Sequence, residues 1–149
     1  MNSSNYIQNL HDVMLQLGQA EKHLKVSYKR CQKIGLQSPH TEDHLIEFEA
    51  LTGRFERLVD ILIHKLFRAL DSVELVDGGT LIDTINRAEK RGLIDSAINL
   101  RALKDLRNEI AHEYLAEKLT ILHEEVYGLV PGLLLMVNHS IKYSEKYST

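Results

Sequence analysis

Tryptophan is absent from this sequence, and cysteine and proline are scarce, with one Cys and two Pro among 149 residues. The single cysteine, Cys31, cannot form an internal disulfide and has no second thiol with which to build a zinc site. Eight glycines are few for a β-rich protein, which needs many tight turns. These absences exclude a disulfide scaffold and a cysteine-based zinc module, and they favour a helical protein of a reducing compartment.

Length and charge narrow the class of protein further. The 149 residues suit one domain over 1–149, and a net charge of −3 argues against a general nucleic-acid binder while leaving a local basic site open. No basic start precedes an apolar run, so we expect no signal peptide. The most apolar stretch, Leu129–Val137, is too short for a bilayer and contains Pro131. We therefore expect a cytoplasmic protein with no membrane partner.

Apolar residues recur at spacings of three and four, which predicts an all-α fold. The predicted helices are about Ser3–Gly35, Glu42–Leu70, Thr80–Lys90, a fourth helix capped by Asp95, and Ala116–Ser140. Gly35 fits a helix stop, Thr41 fits an N-cap, and Thr80 with Asp83 resembles a capping box. Pro131 is expected to kink the last helix. Long helices joined by short breaks predict an up-and-down bundle of four to five helices, with the third too short to be a full member.

The stretch "LRNEIAHEY", residues 106–114, mixes polar chemistry into an apolar helix. Leu93, Leu100, Arg107 and Tyr114 are seven residues apart, which is the spacing of a packed seam. A guanidinium at a seam position must be paired, lie at an interface or open onto a cleft, because burying it alone is costly. Pairing with a carboxylate of the second helix, or snorkelling to solvent, is the plainest interpretation for Arg107 alone.

His112 follows Arg107 by five residues, which turns a helix by about 500° and leaves the two side chains about 140° apart. They converge only if the helix ends near Ala111, or if two copies of the chain meet at a twofold axis. His112 alone suits a solvent-facing residue at a helix C-terminus, and Tyr114 alone suits a tyrosine packed at the edge of the core. Arginine, asparagine, histidine and tyrosine together indicate a functional site.

This pattern resembles the HEPN superfamily of helical nucleases. Arg107, four intervening residues and His112 match its signature, and Asn108 is the polar residue that commonly follows the arginine. Tyr114 extends the match to the HepT branch, toxins encoded beside a minimal nucleotidyltransferase antitoxin. The resemblance in helix order and length covers most of the chain, but its specific part is Arg107–Tyr114. It implies a metal-independent RNase without a cofactor, acting as a homodimer whose two motifs face each other, and AMP transfer by the antitoxin to Tyr114.

The residue types fit that chemistry. RNA cleavage without metal needs a proton shuttle near neutral pH, which suits His112 as general acid or base. Arg107 suits a clamp on the charged phosphate, and Asn108 suits a hydrogen bond to that phosphate or to His112. The substrate's 2′-hydroxyl would attack and leave a 2′,3′-cyclic phosphate. AMP on Tyr114 would block the cleft and repel the RNA phosphate.

Basic residues supply candidate RNA contacts. Arg101 and Lys104 precede Arg107 at spacings of three, and they either guide RNA or form a solvated face, since Asp105 and Glu109 are interspersed. A second basic run on the first helix is either an RNA- or partner-binding surface or, as we favour, a solubilising face. Its members are Lys22, Lys25, Lys29, Arg30 and Lys33.

Two other interpretations stay open. Related helical bundles resemble substrate-binding subunits of a two-chain nucleotidyltransferase, in which Arg107 and His112 would bind a nucleotide or the partner chain. The polar cluster could also be purely structural in a helical dimer. A metal site is not expected, because His40 and His44 lack the glutamate of an HExxH motif and a third ligand. DNA is not expected as a partner.

Overall fold

A computed structural model describes residues 3–37 and 40–147, and these ranges contain helices, short connections and no β-strand. The helices are α1 (Ser3–Ile34), α2 (Glu42–Asp60), a π-helical segment (Ile61–Leu66), α3 (Phe67–Val73), α4 (Leu81–Lys90), α5 (Ala97–His112), α6 (Ala116–Ser144) and a 3₁₀ turn (Glu145–Tyr147). The π-helical segment joins α2 to α3 without a break, so they form one rod, the α2–α3 run. The predicted all-α fold is confirmed.

The long helices run up and down around one core. Arg54 of α2 donates to the backbone oxygen of His23, while Lys65, eleven residues later, donates to Gln16, so α1 and the α2–α3 run are antiparallel. Helix α5 is also antiparallel to the α2–α3 run, because Lys104 acts on His64 while Arg107, three residues later, pairs with the earlier residue Asp60. The short helix α4 packs only against α3 and α5 among the stronger helix contacts. The predicted up-and-down bundle, with a short third helix outside it, is confirmed.

The core is the apolar face that the periodicity predicts. Its buried side chains form one cluster across all the helices. Two apolar stripes at helical spacing, one on the first helix and one on the second, are predicted to face the core. Their buried members are Leu10, Val13, Leu17, Ala20, Leu24, Phe48, Leu51, Phe55, Leu58, Leu62 and Leu66. Tyr28 and Leu45, which belong to the same predicted stripes, are half-buried. Burying each large apolar side chain contributes about 1.5–3 kcal/mol, so this face holds the bundle together.

Two predicted helix starts are confirmed by their hydrogen bonds. The Thr41 hydroxyl accepts from the backbone N–H of His44 at 3.2 Å, and the His44 ring accepts from the Thr41 N–H at 3.3 Å. Thr80 and Asp83 exchange the equivalent pair at 3.2 and 3.0 Å. Each box satisfies backbone donors that a helix start leaves unpaired. Gly35 ends α1 at φ +78°, a conformation that glycine adopts without strain.

The predicted cap of the fourth helix is wrong by one residue. Asp95 is exposed, and Ser96 is the N-cap, with its hydroxyl accepting from Ile98 and Asn99 at 3.2 and 3.4 Å. Asp and Ser are equally good caps, so composition could not separate two neighbours. The second helix is predicted to end at Leu70, but the α2–α3 run continues three residues further, to Val73.

Helix α6 is long and carries most of the apolar character of the chain. In the part of the chain that the structure describes, Ala116–Tyr147 is the one stretch long and apolar enough to cross a membrane. Its buried side includes Val126, Val130 and Leu133, which pack into the bundle core. A core helix of a soluble protein has these properties. Pro131 lies within α6, which continues past it to Ser144; the kink remains a prediction.

Candidate functional site

Arg107 of α5 reaches across to α2 and pairs with Asp60. The guanidinium Nη2 lies 2.8 Å from the Asp60 carboxylate, and the two side chains are 30% and 39% exposed. Leu100 and Leu103 of α5 are buried on the same side of the helix, so the arginine stem covers the seam while its head reaches a carboxylate at the rim. The prediction that Arg107 pairs with a carboxylate of the second helix is confirmed.

Asn108 also holds the Arg107 guanidinium. Its side-chain oxygen accepts from Nη1 of Arg107 at 3.2 Å. A guanidinium has five N–H groups, and three of those of Arg107 have no acceptor among the described residues. Asp60 and Asn108 therefore orient the fork and leave part of it open for an anion.

Glu56 and His64 lie one helical turn on either side of Asp60 and were missed by the sequence reasoning. Burial raises the pKa of the Glu56 carboxyl, while the charge of Arg107 lowers it and that of Asp60 raises it. The pKa of His64 is lowered, first by burial, and then by the positive charges of Lys104, Arg68 and Arg107, against the opposing charge of Asp60. Only their spacing of four residues could have indicated that they share a helix face with Asp60.

The helix backbone is irregular beside this cluster. Asp60 is the last residue of α2, and His64 lies within the π-helical segment Ile61–Leu66. A π-helical turn holds an extra residue, so it rotates the side chains that follow it relative to a regular helix. π-Helical segments occur often at functional sites. Here the segment begins directly after Asp60, the partner of Arg107, and contains His64.

His112 is the last residue of α5, and it is exposed. Glu113 leaves the helix with φ −93° and ψ 127°. The Glu113 carboxylate accepts from the backbone N–H groups of Tyr114 and Leu115 at 3.1 and 3.0 Å, which turns the chain toward α6. Tyr114 is 86% exposed, so the prediction that it packs along the α5 seam is wrong, because the helix ends two residues earlier.

One chain does not bring Arg107 and His112 to the same side of the helix. Both lie within the regular helix α5, so their side chains remain about 140° apart around its axis. The helix does end near Ala111, at His112, but His112 is still helical and is not swung round toward Arg107. The composite site across a twofold axis is the remaining route by which the two side chains could converge.

The two tentative RNA contacts differ in position. Lys104 is half-buried on the side of α5 that faces the α2–α3 run, where its charge acts on His64. Arg101 is exposed and makes no hydrogen bond or ion pair among the described residues. Lys104 thus belongs to the Arg107 cluster, whereas Arg101 lies apart from it.

The remaining sequence candidates have structural roles. Nε2 of His40 donates to the backbone oxygen of Gly35 at 3.1 Å, and His44 belongs to the α2 capping box. No group of three His, Cys, Asp or Glu side chains within the described ranges could hold a metal ion. Burial and, to a smaller extent, the charge of Glu47 raise the pKa of the Cys31 thiol to about 11, so the thiol is protonated at neutral pH, as an inert cysteine should be.

His123 of α6 is buried, in contrast to His112. It is 7% exposed, and its Nδ1 has no hydrogen-bond partner among the described residues. Burial lowers its pKa, and the charge of Glu49 opposes this to a smaller extent. His123 therefore suits a neutral core residue.

We expect His123 to make the protein less stable in mild acid. Its pKa in the folded state lies below the unfolded value of about 6.5, so the unfolded chain binds more protons below that pH. The free energy of unfolding should be steady above about pH 6.5 and should fall as the pH drops further. Urea unfolding between pH 8 and pH 5 should show a shallower decline for His123→Gln than for wild type.

The variant and wild type should be compared at pH 8 as well, where their difference reports packing alone. His64, whose pKa is also lowered, leaves a residual slope of the same sign in both proteins. Equal slopes in the two proteins would contradict this role of His123.

No protein-family model, curated protein or solved structure matches this chain. The resemblance to HEPN nucleases therefore depends on Arg107, Asn108, His112 and Tyr114 and on the helical fold.

Proposed function

We propose that this protein is a HEPN-type, metal-independent RNase toxin that acts as a homodimer in the cytoplasm. The observation that carries the proposal is the state of Arg107. Its guanidinium is oriented by Asp60 and Asn108 and is partly exposed, and three of its N–H groups have no acceptor within residues 3–37 and 40–147. A guanidinium that is held in place and still has free N–H donors is suited to bidentate hydrogen bonding with a phosphate.

His112 supplies the proton chemistry in this proposal. It is exposed at the end of α5 and engages no partner among the described residues, so it is free to meet a substrate. The substrate's 2′-hydroxyl loses its proton and attacks the adjacent phosphorus, and the 5′-oxygen leaves with a proton. Arg107 stabilises the extra negative charge of the pentacoordinate phosphate, and the products are a 2′,3′-cyclic phosphate and a 5′-hydroxyl.

A second copy of the chain completes the site. Ile98 is 76% exposed on α5 and precedes His112 by two heptads, so both face the open side of that helix. Beside it, an apolar groove of about 450 Å³ lies between α5 and α6, lined by residues that include Leu103, Leu106 and Met136. Apolar surface of this kind next to the motif favours a contact with another protein surface. We propose that a twofold contact in this region brings His112 of one chain to Arg107 of the other.

Tyr114 is the regulatory residue in this proposal. Its side chain is 86% exposed in the connection between α5 and α6, which leaves the hydroxyl accessible to a nucleotidyltransferase antitoxin. AMP transferred to that hydroxyl would place a negative charge two residues from His112 and repel the RNA phosphate.

The test is RNA cleavage by purified protein that intact-mass measurement shows to carry no AMP. Wild type, incubated with bulk tRNA and mRNA in EDTA, should cleave RNA and leave cyclic phosphate ends, and the Arg107→Ala, His112→Ala double variant should not. Equal inertness of the two proteins would contradict the nuclease. Equal cleavage by both would indicate a contaminating RNase.

A second candidate is the non-catalytic subunit of a two-chain nucleotidyltransferase. The Arg107–Asp60 pair favours it, because a guanidinium already paired with a carboxylate also suits a structural or binding role. Inert wild-type protein that nevertheless binds a small nucleotidyltransferase chain in pull-down and sedimentation experiments would support this alternative.

A further inference from the structure

Three cavities lie in a row along the seam between α1 and the α2–α3 run. The first, of about 140 Å³, is lined by His23, Arg54 and Arg57. The second, of about 390 Å³, shares His23 and Arg57 with the first, and the third, of about 400 Å³, shares Gln16 and Lys65 with the second. Neighbouring cavities share lining residues and follow one another along the seam, and we call the three together the α1–α2 groove.

Positive charge follows the whole groove. Arg54, Arg57, Lys65 and Arg68 line it, at spacings that place them along one side of the α2–α3 run. Asp12 is the single carboxylate among the residues that line these cavities. Since the whole chain carries a net charge of −3, this concentration of positive charge is local and not a property of the surface at large.

Two of these cations are engaged in holding the helices together. Arg54 donates to the His23 backbone oxygen at 3.0 Å and to the Ser27 hydroxyl at 2.8 Å, and Lys65 donates to Gln16 at 3.1 Å. Arg57 and Arg68 form no hydrogen bond or ion pair with any described residue. Both are exposed, and unpaired arginines along a polar channel are suited to binding a row of phosphates.

The groove comes nearest to the candidate site at His64. His64 lines the third cavity and lies one helical turn beyond Asp60, the partner of Arg107. The charges of Arg68, from the groove, and of Arg107, from the site, both act on the His64 ring. His64 therefore lies between the groove and Arg107, within the electrostatic reach of both.

We infer that the α1–α2 groove binds the backbone of single-stranded RNA next to the phosphate held at Arg107. This inference rests on the proposed function. From Arg54 to Arg68 the helix rises about 21 Å, enough for roughly six stacked nucleotides at 3.4 Å each, and fewer if extended. Gln16, Gln19 and His23 on the α1 wall offer hydrogen bonds and a ring to unpaired bases, and the arginines offer planar surfaces for stacking. A lipid surface or a partner helix would need a broad apolar lining instead.

The test is RNA binding in the His112→Ala background, in which the substrate stays intact. Fluorescence anisotropy with a labelled single-stranded RNA of 20 nucleotides should show about tenfold weaker binding at 100 mM salt after Arg57→Ala and Arg68→Ala are added. The slope of log affinity against log salt concentration should fall by about 1.4, because each phosphate contact to a single strand contributes about 0.7. Circular dichroism and the melting temperature should match the background protein, since neither arginine has a partner to lose.

The matched control removes two positive charges that lie outside the groove, on α1. Lys22 and Lys29 are exposed and line none of these cavities, so Lys22→Ala with Lys29→Ala should leave RNA affinity within about twofold. If this control loses binding and the groove variant does not, the basic run of α1 binds the RNA and the groove inference is wrong. Unchanged affinity and slope in the groove variant would overturn it as well.

RNA binding tests the groove, and RNA cleavage tests the nuclease, so the two proposals can fail independently. Binding that depends on Arg57 and Arg68, together with wild-type protein that cuts nothing, would support the groove and contradict the proposed RNase. Cleavage by wild type with no groove-dependent binding would leave the RNase standing and remove the groove. Groove-dependent capture of anionic phosphatidylserine vesicles or an acidic peptide, without RNA binding, would also overturn the inference.

Discussion

An Arg107→Ala chain and a His112→Ala chain, each inactive as a homodimer, should regain RNA cleavage when they are combined in one heterodimer. The two side chains lie about 140° apart on α5, so a site that uses both takes one from each chain. Removing a general acid or base costs about 10²–10⁴-fold in rate, and removing a charge-stabilising donor costs about 10²–10³-fold. The heterodimer retains one intact pair out of two, and we expect roughly half of the wild-type activity.

The measurement uses two differently tagged chains, co-expressed and purified through both tags. A reciprocal heterodimer provides the matched control: a wild-type chain combined with the Arg107→Ala, His112→Ala double variant. With composite sites, each site of this control lacks one group, so it should be inactive. If each chain held its own complete site, the control would keep half of the activity and the mixed single variants would keep none, which contradicts the composite site.

Loss of activity in these variants should not reflect unfolding. The Arg107–Asp60 pair is partly exposed, at 30% and 39%, and such pairs contribute about 1 kcal/mol or less to the free energy of unfolding. His112 has no partner among the described residues. Urea unfolding of each variant, alongside wild type, checks this directly.

Asp71→Ala should have the largest effect on stability of any single substitution of a charged residue considered for this protein. The Asp71 side chain is 2% exposed and accepts from the Nε and Nη2 of Arg87 at 3.0 and 2.8 Å. Nη1 of Arg91 lies 2.9 Å from the same carboxylate but makes no hydrogen bond, so the Asp71 charge is its compensation. Removing one partner of a buried ion pair costs about 3–5 kcal/mol.

The network around Asp71 links three parts of the fold, which explains why the loss should be global. Arg91 also pairs with Glu74 at 3.0 Å, and Glu74 accepts from the hydroxyls of Tyr143 and Tyr147 at 2.6 Å each. The hydrogen bonds from the two tyrosines lower the Glu74 pKa against the effect of burial, and the charge of Arg91 lowers it further. Helix α4 and the end of α6 are thereby fastened to α3.

Urea unfolding at pH 7, followed by circular dichroism, measures the cost of Asp71→Ala. A typical domain has only about 5–15 kcal/mol of stability, so the expected loss removes a large part of it. Asp95→Ala is the matched control, because Asp95 is an exposed carboxylate of the connection before α5 without a hydrogen bond or ion pair among the described residues, and should change stability by about 0.5 kcal/mol or less. A loss below about 1 kcal/mol for Asp71→Ala would contradict the role of the network.

The helices, and the side of each helix that faces the core, follow from the sequence alone. These features depend on residues close together in the chain: apolar residues at helical spacing, Thr41 and Thr80 as caps, and Gly35 as a stop. It failed where two local signals competed, as at Asp95 and Ser96. It also failed where periodicity ran past a helix end, as at Tyr114, because a heptad count does not contain the turn that Glu113 makes.

For the candidate site, the sequence identified Arg107, Asn108 and His112 but left the arginine several possible partners. The tertiary structure selected Asp60, brought Glu56 and His64 beside it, and aligned Arg57 and Arg68 along a groove with α1. These contacts depend on how far one helix slides and rotates against another. That register is set by packing of the whole core across distant segments, and the local spacing of residues along one helix carries no record of it.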